Sequence, residues 1–449
     1  MRFTNLRLTL VFGAFVICAF ASAPWLLAEP IASEDSSEPS SSSELKNPQI
    51  VEAVARFQNH DIVGALNLLK EAASKDSDLP PAQVIIAQLF AQTNSLANAH
   101  DYLEKAVIEV PDDPEAYLVL ADMAMRGRRI TEADLLYQKA ASLTDKFDKS
   151  KKRKESFLLA IYSGLASVAE SRENWSEAQK QLEALLSVDS QNAAVLRRIA
   201  RCLFQQKNIE AALDKFREVA KIDLDAYLPE VMLAQLYQQA GDHENAKKWL
   251  TTALAASPKD IRTHLIAVQW ALQTDQLDEA LAESELALKL DPKSLDAKIY
   301  RGLIALFQKD YKNAEMYFES ACLQSPSSFL ASNGLALTLV EQKDEAKKRK
   351  ALEYAEVNAK RFSKLPDATA TYGWVLYKLG RLDEAEQALR FVVSNANGLT
   401  PDTAYYLARV SVDRGREAEA KQLLEGTLKA NKMFLRQQEA QALLQQLQK

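Results

Sequence analysis

The side chains best suited to metal binding or nucleophilic attack are few in this sequence, and their spacing assembles no site. His60, His100, His243 and His264 are scattered, with no His-Glu-x-x-His pair and no paired cysteines. Asp242-His243-Glu244 groups three ionisable residues, but in a polar stretch between two apolar ones, where charged side chains are solvated. The Gly-x-x-x-x-Gly-Lys-Ser/Thr loop that cradles phosphates is absent, as is the Gly-x-Ser-x-Gly turn that exposes a nucleophilic serine. These readings predict a protein that is not an enzyme, with no catalytic residue, metal or cofactor.

What the sequence does contain is a period. Ala65, Ala99, Ala133, Ala178, Ala212, Ala246, Ala280, Ala314, Ala351, Ala385 and Ala420 recur at a near-constant interval. Seven of the ten gaps are 34 residues and the others are 45, 37 and 35, which points to stacked supersecondary units. Four residues after most of these alanines stands a large apolar group, such as Leu69, Leu103, Tyr137, Leu182, Phe216 or Phe318. Seven residues on stands a small or apolar one, so offsets of zero, four and seven mark one buried face of a helix. A second apolar stretch precedes each alanine, as in Ile199-Ala200-Leu203 and Tyr372-Gly373-Leu376, and its small residue lets a neighbouring helix approach closely. Polar turns such as Ala240-Gly241-Asp242 join the two stretches, and Pro111, Pro258, Pro292 and Pro326 follow the second.

This pattern resembles the tetratricopeptide repeat family over roughly residues 49 to 433, most plainly in Ala234–Pro258 and Tyr372–Val393. The resemblance implies an all-α solenoid, a right-handed superhelix of about eleven antiparallel helix pairs. One hairpin cannot bury enough apolar surface alone, so stability has to accumulate between neighbours. Residues 434–449, apolar on one side and glutamine-rich on the other, read as a capping helix.

In this family the inner groove is lined by the first helix of each pair. Read by that resemblance, the groove contains Arg197, Arg201, Phe204, Gln235, Gln239, Gln269 and Gln273, then Phe307, Trp374, Tyr377, Tyr405 and Arg409. The amides suit an extended peptide backbone, and the aromatics suit apolar anchors or sugar rings. Equally, Phe307 and Trp374 can complete packing between repeats, and the glutamines can form a plain solvated face. The implied function is a scaffold that binds a protein or peptide partner, with a polysaccharide-binding accessory of polymer export as the alternative. The family's clamp for carboxylate tails needs lysine and asparagine on successive first helices; Arg197 and Arg201 match it only in part and the next helix offers Met232 and Gln235 instead, so recognition of such a tail is not expected.

Composition and the N-terminus bear on where it works. The chain has 449 residues, 12 glycines, 14 prolines and a net charge of −6, which is no footprint of a nucleic-acid partner. Arg2 and Arg7 precede an uncharged apolar stretch from Leu8 to Ala28 that includes Ala21-Ser22-Ala23. Residues 1–28 therefore read as an export signal or as an uncleaved membrane anchor, with Pro24 awkward for cleavage. Either way the repeats are expected outside the cytoplasm, periplasmic or in the cell envelope, behind a Ser/Glu/Pro-rich linker over 29–48. Cys202 and Cys322, more than three repeats apart, read as buried small hydrophobes and not as a disulfide.

The two longer gaps coincide with basic runs, Lys149 with Lys151 to Lys154, and Lys347 to Lys350. Such runs can meet an acidic polymer or anionic headgroups, or simply be solvated helix extensions.

Overall fold

The computed structural model describes residues 48–395, 399–429 and 434–448. The expected leader, and the linker apart from Pro48, lie outside the described residues. Those that are described form helices and turns in two compact units, one running to Leu236 and the other starting at Tyr237.

In the first unit α1 (Pro48–Gln58) pairs with α2 (Ile62–Lys75), and α3 (Ala82–Gln92) with α4 (Leu96–Glu109). α5 (Glu115–Arg126) pairs with α6 (Ile130–Thr144), α7 (Lys151–Ser171) with α8 (Trp175–Val188), and α9 (Ala193–Gln205) with α10 (Ile209–Ile222). α11 (Pro229–Gln239) and α12 (His243–Ala256) follow at the division. In the second unit α13 (Ile261–Gln273) pairs with α14 (Leu277–Leu290), and α15 (Leu295–Phe307) with α16 (Tyr311–Gln324). α17 (Phe329–Val340) pairs with α18 (Glu345–Arg361), α19 (Pro366–Lys378) with α20 (Leu382–Asn395), and α21 (Pro401–Asp413) with α22 (Glu417–Lys429). α23 (Gln437–Leu447) comes last and packs on α22.

The periodic alanines are the pivots of this arrangement. All eleven lie in second helices and none exposes more than 1 % of its surface. The residue one helical turn further on is buried in every copy, and a leucine there, such as Leu69 or Leu182, contributes about 1.5–3 kcal/mol by leaving water. Where that residue is large, its neighbours must be small. A Cβ on Gly164 would meet the Tyr137 ring at 2.2 Å, and one on Gly373 would meet Leu389 at 2.7 Å. The register also tolerates polarity: Ser284 and Asn358 occupy core positions of α14 and α18, and Asn358 Oδ1 accepts from the Ser332 hydroxyl at 2.9 Å. In the second unit one apolar cluster runs from Ile299 to Leu443, so consecutive hairpins share a core.

The turns between paired helices repeat as well. Ten of the eleven place a residue with positive φ five positions before the alanine, and the following N–H reaches back to a first-helix carbonyl five residues earlier. Glycine fills this left-handed position only at Gly241, Gly380 and Gly415; seven other turns use residues such as Glu173, Lys207 and Asp275. An L side chain there costs roughly 1–2 kcal/mol, against about 0.5–1 kcal/mol of extra unfolded-state entropy for glycine. Glu173→Gly, Lys207→Gly and Asp275→Gly are each expected to stabilise the protein by about 0.5–1 kcal/mol. Thermal unfolding checks this, and a fall in Tm for all three would contradict the turn assignment.

The longer gaps have structural outcomes. The 45-residue gap lengthens α7 to 21 residues, and the 37-residue gap lengthens α18 to 17. Lys151 projects into solvent, as a basic extension should, with its side chain 92 % exposed. Arg153 does not. It is buried against the rings of Phe147 and Phe157, which meet edge to face, and its Nη2 donates to both oxygens of Asp113 and to Glu115 at 2.7–2.9 Å. Ser150 caps α7 and donates to Asp78, joining the start of α7 to the loop between α2 and α3. The first basic run is thus partly an internal brace, a feature hidden by its lysine neighbours. In the second run Lys347 pairs with Glu315 at 2.6 Å, while Arg349 and Lys350 are exposed.

Candidate functional site

First helices carry the residues expected to meet a partner, and each unit presents its own set. In the first unit Arg197 and Arg201 stand one turn apart on α9. Arg197 is tied to Asp223 by an ion pair, and the hydrogen bond it donates holds that carboxyl below its ordinary range. Arg201 is exposed, its guanidinium 5.9 Å from the Trp175 ring centre. Phe204 is buried in α9, and Gln235 is half-buried in α11. Arg198, between the two expected arginines, faces α7 and forks onto Glu170 at 3.0 and 3.1 Å, with bonds to Ser163 and Ser167. That lashing between repeats had no signal in the sequence beyond an arginine in a helix.

The second unit holds the rest. Gln239 and Gln273 are exposed, Gln269 is half-buried, and the Gln238 amide donates to the carbonyl oxygen of Gln273. Phe307 is half-buried at the end of α15. Trp374 is buried at the middle of an aromatic cluster, stacked with Tyr377 at 5.2 Å and with Tyr406 at 4.5 Å. Tyr405 is buried beside it at 5.8 Å, and the Tyr377 hydroxyl accepts from Arg409 at 3.1 Å. Burial of Trp374 and Tyr405 in this cluster turns their faces to other side chains, which is the packing role weighed for Trp374.

Part of what covers the cluster is the chain's own C-terminal segment. The backbone N–H groups of Leu435 and Arg436 donate to the two oxygens of Asp402, at 3.3 and 3.1 Å. The Arg436 guanidinium lies 5.4 Å from the Trp374 ring centre and donates to Glu341, the C-cap residue just after α17, at 2.7 Å. Both partners of this ion pair are buried, with side chains 5 % and 8 % exposed. Glu341 also accepts from Trp374 Nε1 and from Lys378, each at 3.0 Å. One turn beyond Arg436, Glu439 meets Lys309, which follows α15, at 2.9 Å. The segment does cap α22, burying Ala440 and Leu443, but its charged side chains reach two and three repeats back. Sequence reading anticipated the cap and missed this reach, because nothing local links Arg436 to Glu341.

The histidines and cysteines take structural places. His264 is buried and bridges Glu283 at 2.6 Å and the Pro258 carbonyl at 3.1 Å, while His60 occupies a left-handed turn. His100, Asp101 and Glu104 bring ligand-type atoms within 4.8 Å of one another on the outer part of α4, where exposed acidic groups are common. Cys202 is buried and Cys322 half-buried, both as free thiols, with burial raising them to about 12 and about 11. Among the described residues no helix is long and apolar enough to cross a membrane.

Four stretches of the sequence, 56–123, 164–229, 231–260 and 371–433, match the tetratricopeptide repeat family. The chain belongs to the tetratricopeptide repeat family. It is 25 % identical over 197 residues to the TPR repeat-containing protein PA4667 of Pseudomonas aeruginosa, covering 43 % of this chain and 32 % of that protein. It therefore spans about a third of the length of that curated relative. Among solved structures, a tetratricopeptide repeat protein from Parabacteroides merdae aligns with a TM-score of 0.45 and 13 % identity. That alignment takes in 57 % of this chain and 99 % of the other. Yeast Tom70 aligns with a TM-score of 0.38 and 14 % identity over 89 % of this chain and 95 % of its own. As a tetratricopeptide repeat protein this chain has the fold of a protein-interaction scaffold.

Proposed function

We propose that this tetratricopeptide repeat protein is a non-enzymatic scaffold working outside the cytoplasm, where its first helices hold a partner protein during envelope or secretion assembly. The observation that carries the binding role is the seating of Phe434–Leu447 against α17, α19 and α21. There, first helices engage a polypeptide through backbone amides, a buried arginine and a charged rim. The extracytoplasmic placement rests on the Arg2/Arg7 start and the Leu8–Ala28 stretch, which direct export whether or not the leader is cut.

Two measurements test this. A photoreactive amino acid placed at Arg201, Gln239 or Gln273 is expected to crosslink an envelope protein in cells, while the same group at Ile108 or Leu323, exposed on second helices, does not. Equal crosslinking from both sets would contradict the first-helix surface. Fractionation with an intact-mass measurement is expected to find the chain in the envelope or periplasm, and recovery from the cytosol alone would overturn the placement.

A further inference from the structure

A face that already holds part of its own chain reveals, through those contacts, the chemistry of what else it would hold. We propose that Phe434–Leu447 is a displaceable internal ligand, and that the partner replacing it presents an arginine to the Glu341–Trp374–Tyr406 pocket. This inference rests on reading the first helices as a protein-binding surface.

The contacts define the ligand. Asp402 takes two successive backbone N–H groups, Glu341 and Trp374 take the guanidinium, and Lys309 takes a carboxylate three residues further on. The fitting peptide therefore carries apolar residues, then arginine, then an acidic residue one helical turn later. Glu341 and Asp402 repel an acidic group at the arginine position, so the pocket discriminates by sign as well as shape.

The pocket does not depend on the segment for its form. Glu341 keeps its bonds from Lys378 and Trp374 Nε1, and Trp374 keeps its stacking on Tyr377 and Tyr406. A guanidinium site is thus already assembled before any ligand enters, which lowers the ordering a partner has to impose. The internal ligand is also a small part of the core: Phe434–Leu447 buries four side chains, Phe434, Arg436, Ala440 and Leu443, whereas α21 alone buries eight. The fit is incomplete too, since Arg436 Nε is buried with no hydrogen-bond partner.

The test uses a fluorescent peptide with the sequence of Phe434–Leu447 and the full chain. Binding to a chain carrying Arg436→Ala and Glu439→Gln, which loosen the resident segment and leave the receiving residues intact, is expected to be at least tenfold tighter than to the unaltered chain. Alanine in place of the peptide's arginine, or Glu341→Gln added to the loosened chain, should weaken it at least tenfold. Equal affinity for loosened and unaltered chains would show that the resident segment does not compete, and no binding to the loosened chain would remove the site; either result overturns the proposal. Glu439→Gln alone, at a half-buried position of the resident segment, keeps the comparison valid if Arg436→Ala fails to fold. Crosslinking from Arg201 reads the first unit only, so it survives failure here and separates this inference from the broader role.

Discussion

Arg153→Ala is expected to destabilise the unit spanning residues 48–236 by about 3–5 kcal/mol, the usual cost of leaving buried charge without its partner. Asp113 is almost fully enclosed, with a side chain 4 % exposed, and both its oxygens accept from Arg153. Glu115 loses the same donor. Removing the guanidinium also empties the space it fills against Phe147 and Phe157, so a cavity adds to the electrostatic loss. Lys151→Ala, two residues away on the solvent side, should change stability by no more than about 0.5 kcal/mol. Urea unfolding with hydrogen exchange of the α5–α7 amides measures both. Similar effects from the two substitutions would refute the internal brace.

Gly334→Val tests packing between neighbouring repeats. The Phe318 ring of α16 is clamped between Gly302 of its own hairpin and Gly334 of the next. A Cβ on Gly334 would lie 2.4 Å from that ring and one on Gly302 would lie 2.9 Å from it, so both helices already approach the ring closely. The expected loss is about 3 kcal/mol, the upper part of the range for overpacked cores. Phe318→Leu in the same chain should recover part of it, giving a coupling of about 1 kcal/mol or more in a double-mutant cycle. Strict additivity of the two substitutions would mean that the clamp does not exist.

Much of this molecule is legible in its sequence, and the reasons differ by residue. The alanine spacing works as a signal because a helix crossing has room only for a small side chain, and every hairpin repeats the same crossing. The glycines at 164, 302, 334 and 373 follow from the same geometry, as complements to Tyr137, Phe318 and Leu389. The left-handed turn position was visible where glycine fills it and hidden where Glu173, Lys207 or Asp275 does, although the register from the alanines marks the place. Arg153 was illegible for another reason: nothing in a run of basic residues says which one turns inward, since the decision belongs to Asp113, about forty residues away. The candidate groove divides likewise. Helical register puts Arg201, Gln239 and Gln273 in the open, but the aromatic set is enclosed by a segment that meets it from Asp402 to Lys309, a relation no local pattern encodes.

Native-state hydrogen exchange on the full chain carrying Ala314→Asp tests the nearest-neighbour origin of stability most directly. Ala314 is fully buried in α16, where the hairpin α15–α16 meets the next one. A charge there should strip protection from α15 to α18 and leave α1 to α6 at their original rates, because each hairpin shares its apolar core mainly with its neighbours. Uniform loss of protection from α1 to α22 would mean a single cooperative core and would contradict the account.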